Sequence, residues 1–241
     1  MTTDAQAAAE AWLADDPDPD TRAELEQLLA GSPDELALRF AGRLQFGTAG
    51  LRGELGAGPL RMNRVIVRRA AAGLARYLLD TVGDASARGV VIGFDARRKS
   101  DVFAEDTAAV MAGAGIKAYL MPRPLPTPVL AVSITDLGCA AGVMVTASHN
   151  PPKDNGYKVY LGEGAQIVPP ADTDISAAID AVGSMADIAM ARPDDPLIVR
   201  LGEQALDSYL AHVPGVRLVP SATDVKAVSY THLTLPTILR V

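Results

Sequence analysis

The sequence is poor in cysteine, with Cys139 alone among 241 residues. A single thiol excludes an internal disulfide and a cysteine-rich metal site, and the scarcity fits a reducing compartment. Cys139 sits in an apolar stretch, which suits a core residue better than a nucleophile. No apolar run approaches the roughly 18 residues needed to cross a bilayer. The opening Met1-Thr2-Thr3-Asp4 has neither the basic start nor the apolar stretch of a signal peptide. A soluble, cytoplasmic protein without a membrane partner is therefore expected. Basic charge is also in deficit: 22 Lys and Arg face 29 Asp and Glu, and the net charge of −7 argues against nucleic acid as a partner. No internal repeat and no low-complexity tract occurs.

At 49% hydrophobic content the chain has enough apolar side chains for one core and the beginning of a second. The acid is unevenly spread. Ten acidic side chains against Arg22 and Arg39 fall within residues 1–40, so the rest of the chain is close to neutral. That body gathers Arg52, Arg61, Arg64, Arg68, Arg69, Arg97, Arg98 and Lys99, which suits a local anion site or, one by one, ordinary solvated helix faces.

Helical and extended periods alternate along the chain, the mark of an α/β fold. Residues 5–43 read as two or three short helices, broken at Asp16-Pro17-Asp18-Pro19 and restarted at Ser32-Pro33-Asp34-Glu35, where Ser32 is an N-cap candidate. A long helix is expected over 63–80 with Asn63 as its cap, then a buried strand at 89–95, a helix at 100–114 and a strand at 116–121. The proline-rich run 122–128 is a rigid crossing, followed by a helix at 129–137. A third strand at 140–146 leads to Ser148. Asn155-Gly156 signals a turn, with a return strand at 157–161. A helix near 173–182 and an irregular boundary at 184–196 follow, and 197–212 reads as the opening of a second domain.

Gly113-Ala114-Gly115-Ile116-Lys117-Ala118 matches a dinucleotide-binding pattern in the wrong order. Such a loop leaves a strand and opens a helix, whereas here a helix ends and a strand begins. A glycine helix stop explains it better, and this counts against a nucleotide-dependent oxidoreductase.

Two segments carry more. In Phe46-Gly47-Thr48-Ala49-Gly50-Leu51-Arg52-Gly53, glycines at spacing three allow the backbone to turn several N–H groups toward one anionic oxygen, and Arg52 adds a guanidinium fork. A plain glycine-rich turn with an exposed arginine fits as well. In the run from Thr146 to Lys158, an apolar strand ends at Ser148, His149 follows, Pro151 and Pro152 stiffen the loop, and the return strand brings back Lys158. A serine attacking phosphorus needs a proton acceptor, and a phosphoserine needs donors or a metal for its charge. His149 or a desolvated Lys158 would move the proton. From spacing alone, Ser148 as a loop hydrogen-bonder and His149 as a surface histidine fit at least as well.

Together, Thr146-Ala147-Ser148-His149-Asn150-Pro151 and Phe46 to Gly53, about 100 residues apart, resemble the paired signatures of the α-D-phosphohexomutase family. The resemblance runs from about 40 to 215 and includes Gly93-Phe94-Asp95-Ala96-Arg97, Pro126-Thr127-Pro128, Asn155 to Tyr160 and Gly164-Ala165-Gln166-Ile167. With the acidic extension, it points to the subgroup of phosphoglucomutases and phosphopentomutases. It implies a three-layer helix/mixed sheet/helix domain I at 44–195 behind an acidic helical extension at 1–43, with an incomplete start of domain II at 196–227.

The resemblance further implies a phosphoenzyme cycle. Phosphorylated Ser148 donates to a sugar monophosphate, the bisphosphate reorients, and the other phosphate returns to Ser148, moving a phosphoryl group between the 1- and 6-positions of a hexose. Thr48 and Arg52 would line the phosphoserine site, Asn150 would orient the loop, and Lys158, ahead of His149, would be the general base. Mg²⁺, bound through the Ser148 phosphate, and a glucose 1,6-bisphosphate-type activator are the implied cofactors, with a sugar phosphate as substrate. A phosphopentomutase and a non-catalytic phosphosugar-binding module are the alternatives.

The chain departs from the family in lacking an Asp-Gly-Asp-type metal loop, the sugar-reading Glu loop and the distal phosphate loop. The other metal ligands are thus expected to be absent, and the chain alone to be inactive. Residues 228–241 follow neither the family pattern nor a helical period. They read as a non-native tail, with no function assigned to His232.

Overall fold

The computed structural model describes residues 2–216. The expected non-native tail at 228–241, and the part of the expected second domain beyond 216, lie outside them.

The acidic segment forms three helices, α1 (Thr2–Asp15), α2 (Pro19–Gly31) and α3 (Pro33–Arg39). The Asp-Pro-Asp-Pro run separates the first two because Pro19, with φ fixed and no N–H, suits a first helical turn. Asp18 caps α2 by accepting from Asp20 N. Ser32 stands at the cap position of α3 but makes no side-chain cap bond, so the N-cap expectation holds in position only. Ala9, Leu25, Leu36 and Ala57 close a small core against Trp12 and Phe40, whose rings meet edge to face at 6.1 Å.

The remainder runs β1 (Leu51–Glu54), α4 (Arg64–Thr81), α5 (Ala85–Arg88), β2 (Val90–Phe94), α6 (Ser100–Gly113), β3 (Ala118–Leu120), α7 (Thr127–Asp136), β4 (Ala141–Val145), β5 (Asp154–Leu161), α8 (Ala171–Asp180), β6 (Ile198–Arg200) and α9 (Gln204–His212). The six strands form one sheet in the order β1-β5-β4-β2-β3-β6. β4, β2, β3 and β6 are parallel neighbours, while β5 runs antiparallel to β4 and β1 antiparallel to β5.

Alternation along each strand sorts side chains to two faces. Ile92, Val143, Val145, Tyr157 and Val159 join Leu74, Leu78 and Phe103 in a core with α4, α6 and α8. Val91, Met144 and Tyr160 face the other way, onto Leu130, Ile134, Leu201 and Ala205 of α7 and the α9 region. This is the three-layer helix/mixed sheet/helix arrangement expected. Each large aliphatic side chain so buried contributes about 1.5–3 kcal/mol, and that rigid sheet supports the loops at its end.

Asn63 caps α4 as expected, Oδ1 accepting from Ile66 N at 3.1 Å. The Gly-Ala-Gly stretch is a helix stop: Gly115 has φ 80°, Ile116 N donates to Met111 O and Gly115 N to Ala112 O, both at 2.9 Å.

One expectation is corrected, and one further segment finds its place. Asn155-Gly156 is not a turn but lies inside β5, paired with Gly53 and Arg52 of β1. A Cβ on Gly156 would stand 2.6 Å from Thr146 O and 2.8 Å from Leu51 O, so the glycine serves a close approach of neighbouring backbones. The stretch 197–212, read as the opening of a second domain, packs on the same sheet as far as the described residues go. β6 adds to the edge of the same sheet beside β3, and Leu201 and Ala205 share the core of α7.

Candidate active site

β4 ends at Val145, and Thr146 and Ala147 remain buried before Ser148 emerges exposed on the sheet's carboxyl end, where parallel α/β sheets place their chemistry. Ser148 has φ 60°, in the left-handed region. A non-glycine residue held there costs on the order of 1–3 kcal/mol and persists only where its surroundings impose it.

Those surroundings are specific. Ser148 N donates to Thr146 Oγ1 at 2.9 Å, and Thr146 Oγ1 donates to Asp95 Oδ2 at 2.7 Å. Asn150 N donates to Ala147 O at 3.0 Å, and Asn150 Nδ2 to Asp154 Oδ2 at 3.0 Å. The Asn150 side chain thus ties the loop to the start of β5.

Arg97 belongs to the resemblance without an expected role, and it proves to be the loop's main fastening. Its Nη2 donates to Ser148 O at 3.0 Å and Asn150 O at 2.9 Å. Its Nη1 donates to Pro151 O at 2.8 Å and Asp154 O at 3.1 Å. Asp95 positions it, accepting from Arg97 N at 3.1 Å and pairing with its Nε at 3.2 Å. The signal in the sequence is an aspartate at a strand end followed two residues later by arginine, a turn that aims the guanidinium back over the strand ends.

The glycine segment is arranged differently from the expected nest of N–H groups. Gly50 N donates to Gly47 O at 2.7 Å and Gly47 N to Gly50 O at 3.4 Å, so these donors close a tight turn on themselves. Gly53 lies in β1, opposite Asn155. Gly50, at φ 74°, is required twice over, because a Cβ there would fall 1.9 Å from Tyr157 O. The turn therefore lies flat on β5. Thr48 stands at its exposed tip, where its carbonyl accepts from Gln166 Nε2; no hydrogen bond ties it to the Ser148 loop.

Arg52 and Lys158 meet on one face. Leu51, Tyr157 and Val159 belong to the α4 side of the core, so the alternating Arg52 and Lys158 face the other side with Tyr160. The Arg52 stem passes 3.2 Å from the Cβ position of Gly156, beside Thr146. Lys158 is buried at 8% exposure. Burial, and then the nearby Arg52 charge, lower its pKa. Arg52 Nε is buried without a hydrogen-bond partner. Two adjacent cations with no carboxylate paired to either among the described residues are costly to hold together. His149 is exposed beside Ser148 and points to no hydrogen-bond partner among the described residues.

The described residues offer a divalent cation no ligand set. No group of three or more His, Cys, Asp or Glu able to hold one occurs among them. Asp95 is engaged by Thr146, Ser100, Arg97 N and the Arg97 guanidinium, and Asp154 by Asn150. Cys139 is buried, and burial pushes its thiol up to about 11, which removes it as a nucleophile. No helix among the described residues is long and apolar enough to cross a membrane.

Residues 43–185 match the α/β/α domain I of the phosphoglucomutase/phosphomannomutase family, and the chain belongs to that family. A probable phosphomannomutase of Haemophilus influenzae is 53% identical over 165 residues, covering 66% of this chain and 33% of that protein. The human phosphopentomutase is 42% identical over 176 residues, covering 70% of this chain and 29% of its own. Among solved structures, a Thermus thermophilus protein bearing the phosphomannomutase name superposes with a TM-score of 0.56 at 30% identity, over 72% of this chain and 38% of that one. The chain spans about a third of the length of the curated relatives it matches.

Proposed function

We propose that this chain is the phosphoryl-carrying part of a phosphohexomutase, with Ser148 as the carrier. The observation that carries the reading is the pairing of an imposed left-handed Ser148, fastened by Arg97, with the uncompensated cations Arg52 and Lys158 on the neighbouring strands. A phosphate on Ser148 supplies the anion that those cations lack.

In the transfer step a sugar hydroxyl oxygen attacks the phosphorus of phosphorylated Ser148. The O–P bond to the sugar forms as the bond to Ser148 Oγ breaks, and the hydroxyl proton passes to a base. Lys158 fits that base, because a buried ammonium beside another cation gives up its proton more readily. Arg52 steadies the phosphoryl oxygens, and Asn150 keeps the loop in register. His149, facing solvent, is the second proton carrier. Thr48 lines the far side of the phosphate from its turn. Any Mg²⁺ at the phosphoserine would take its carboxylates from outside the described residues. A glucose 1,6-bisphosphate-type activator would prime Ser148.

The chain is assayed with glucose 1-phosphate, Mg²⁺ and catalytic glucose 1,6-bisphosphate. Negligible turnover is expected of the 241 residues alone, and a phosphate mapped by mass spectrometry to Ser148 in an active mutase carrying them. A phosphate on Ser100, or its survival in Ser148→Ala, overturns the assignment. A phosphoribomutase-named relative in Schizosaccharomyces pombe, 47% identical over 177 residues, favours pentose phosphates as a second reading. Comparing ribose 1-phosphate with glucose 1-phosphate in the same assay separates the two.

A further inference from the structure

The acidic extension has an acidic surface and, at one point, a buried one. Asp18 is 2% exposed and Asp16 3%. Asp16 is satisfied within the extension by Thr21 Oγ1 at 2.7 Å and Asp18 N at 2.9 Å. Asp18 instead reaches across to Lys99, whose Nζ donates to its two carboxylate oxygens at 3.0 and 2.9 Å and to Asp20 Oδ2 at 2.6 Å. Burial disfavours the Lys99 charge, but the hydrogen bonds it donates to Asp20 and Asp18 outweigh it, so its pKa lies above the ordinary lysine value.

Lys99 is one of three non-glycine residues with positive φ among the described residues, at 63°, and Ser148 is another. The two strained residues are joined. Next to Lys99, buried Ser100 donates through Oγ to Asp95 Oδ1 at 2.8 Å. Asp95 Oδ2 accepts from Thr146 Oγ1 at 2.7 Å, which accepts from Ser148 N at 2.9 Å. Asn155 Nδ2 braces the same junction, donating to Arg98 O at 2.9 Å and Ser100 Oγ at 3.0 Å. Asp95 also sets Arg97, which fastens the loop carbonyls.

We propose that the acidic extension is a positioning arm for the Ser148 loop: Asp18 and Asp20 hold Lys99 in its left-handed turn, and that turn places Ser100 to fix Asp95, Thr146 and Ser148. Lys99 is the positioning residue, since it touches neither the serine nor the phosphate site. The functional consequence rests on the reading of Ser148 as carrier; the mechanical coupling does not.

Backbone hydrogen exchange on the full chain tests the coupling without any turnover. In Lys99→Asn, which tolerates the left-handed turn but removes the cation, the Ser148 amide is expected to exchange about tenfold faster while β2 and β3 amides keep their rates. Lys99→Arg restores protection. Adding Thr146→Val to Lys99→Asn gives little further loss, because both cut the same chain of bonds. An unchanged Ser148 amide in Lys99→Asn overturns the proposal, and so does full additivity in the double variant. Should Lys99→Asn loosen the whole sheet, Asp20→Asn decides. This milder change removes only the exposed partner, and a selective rise at Ser148 supports the arm while a rise shared by β2 and β3 sinks it. A Ser148 that takes no phosphate yet shows this coupling defeats the carrier reading alone.

Discussion

Lys99 and Lys158 are both drawn into the protein, the first with 24% of its side chain exposed and the second 8% exposed as a residue. They are tuned in opposite directions. Lys99 meets two carboxylates of the acidic extension and its pKa rises. Lys158 meets burial and a second cation, and its pKa falls. The turn before α6 thus holds one cation satisfied by carboxylates, and β5 holds one that meets none among the described residues. Burial alone does not decide which way a lysine's pKa moves; the sign of its neighbours does.

The largest test of that contrast is catalytic. In an active mutase carrying this chain, Lys158→Met is expected to lower kcat by about 10²–10⁴, the usual worth of a general acid or base, and Lys99→Met by much less. Equal losses, measured by steady-state kinetics, would erase the distinction.

Next comes the glycine turn packed against the backbone of Tyr157 and Lys158. Gly50→Ala forces a side chain into a left-handed residue and against Tyr157 O, for a loss of at least about 2 kcal/mol in urea unfolding. As the turn lifts from β5, the Lys158 pKa should climb back toward 10.5. An NMR titration that shows no such climb would place the source of its desolvation elsewhere.

Lys99→Met leaves Asp18 buried without its cation and should cost about 2 kcal/mol at pH 7, after allowance for the partial exposure of Lys99. Because the folded pKa of Lys99 is raised, its contribution is whole below 10.5 and is lost as pH rises through the folded value. The gap between wild type and variant in denaturant midpoint should therefore close in strong alkali.

The smallest effect has the opposite sign. The folded pKa of Lys158 is depressed, so its contribution is present above 10.5 and lost as pH falls through the folded value. Lys158→Met should then melt slightly higher than wild type at pH 7, with the difference vanishing near pH 10.5. A lower melting temperature at pH 7 would show that the ammonium has a stabilising partner.

Much of this was legible in the sequence where local chemistry and tertiary use agree. The apolar run expected as a strand at 140–146 contains β4 at 141–145, buried on both faces as a continuous apolar run requires, and its polar end is where Ser148 surfaces. Asn63 and Gly115 act locally, as cap and helix stop, so their residue types suffice. Asn155-Gly156 misleads because the signal is a turn pair, whereas the glycine answers to crowding by Thr146 and Leu51 from two other strands. Ile198–Arg200 is three residues long, too short for a period to show, and its place is fixed only by pairing with β3. The role of Arg97 was hidden for another reason: it grips carbonyl oxygens, which every residue has, so no pattern of side chains announces its partners.

That grip has a consequence for how relatives of this chain are compared. One planar fork reaches four main-chain oxygens at 2.8–3.1 Å, and an ammonium, a single point with three donors, cannot span them. A substitution table scores arginine to lysine as nearly silent. At position 97 the two codons would encode different loops, and a homologue carrying lysine there must have found another way to hold its serine.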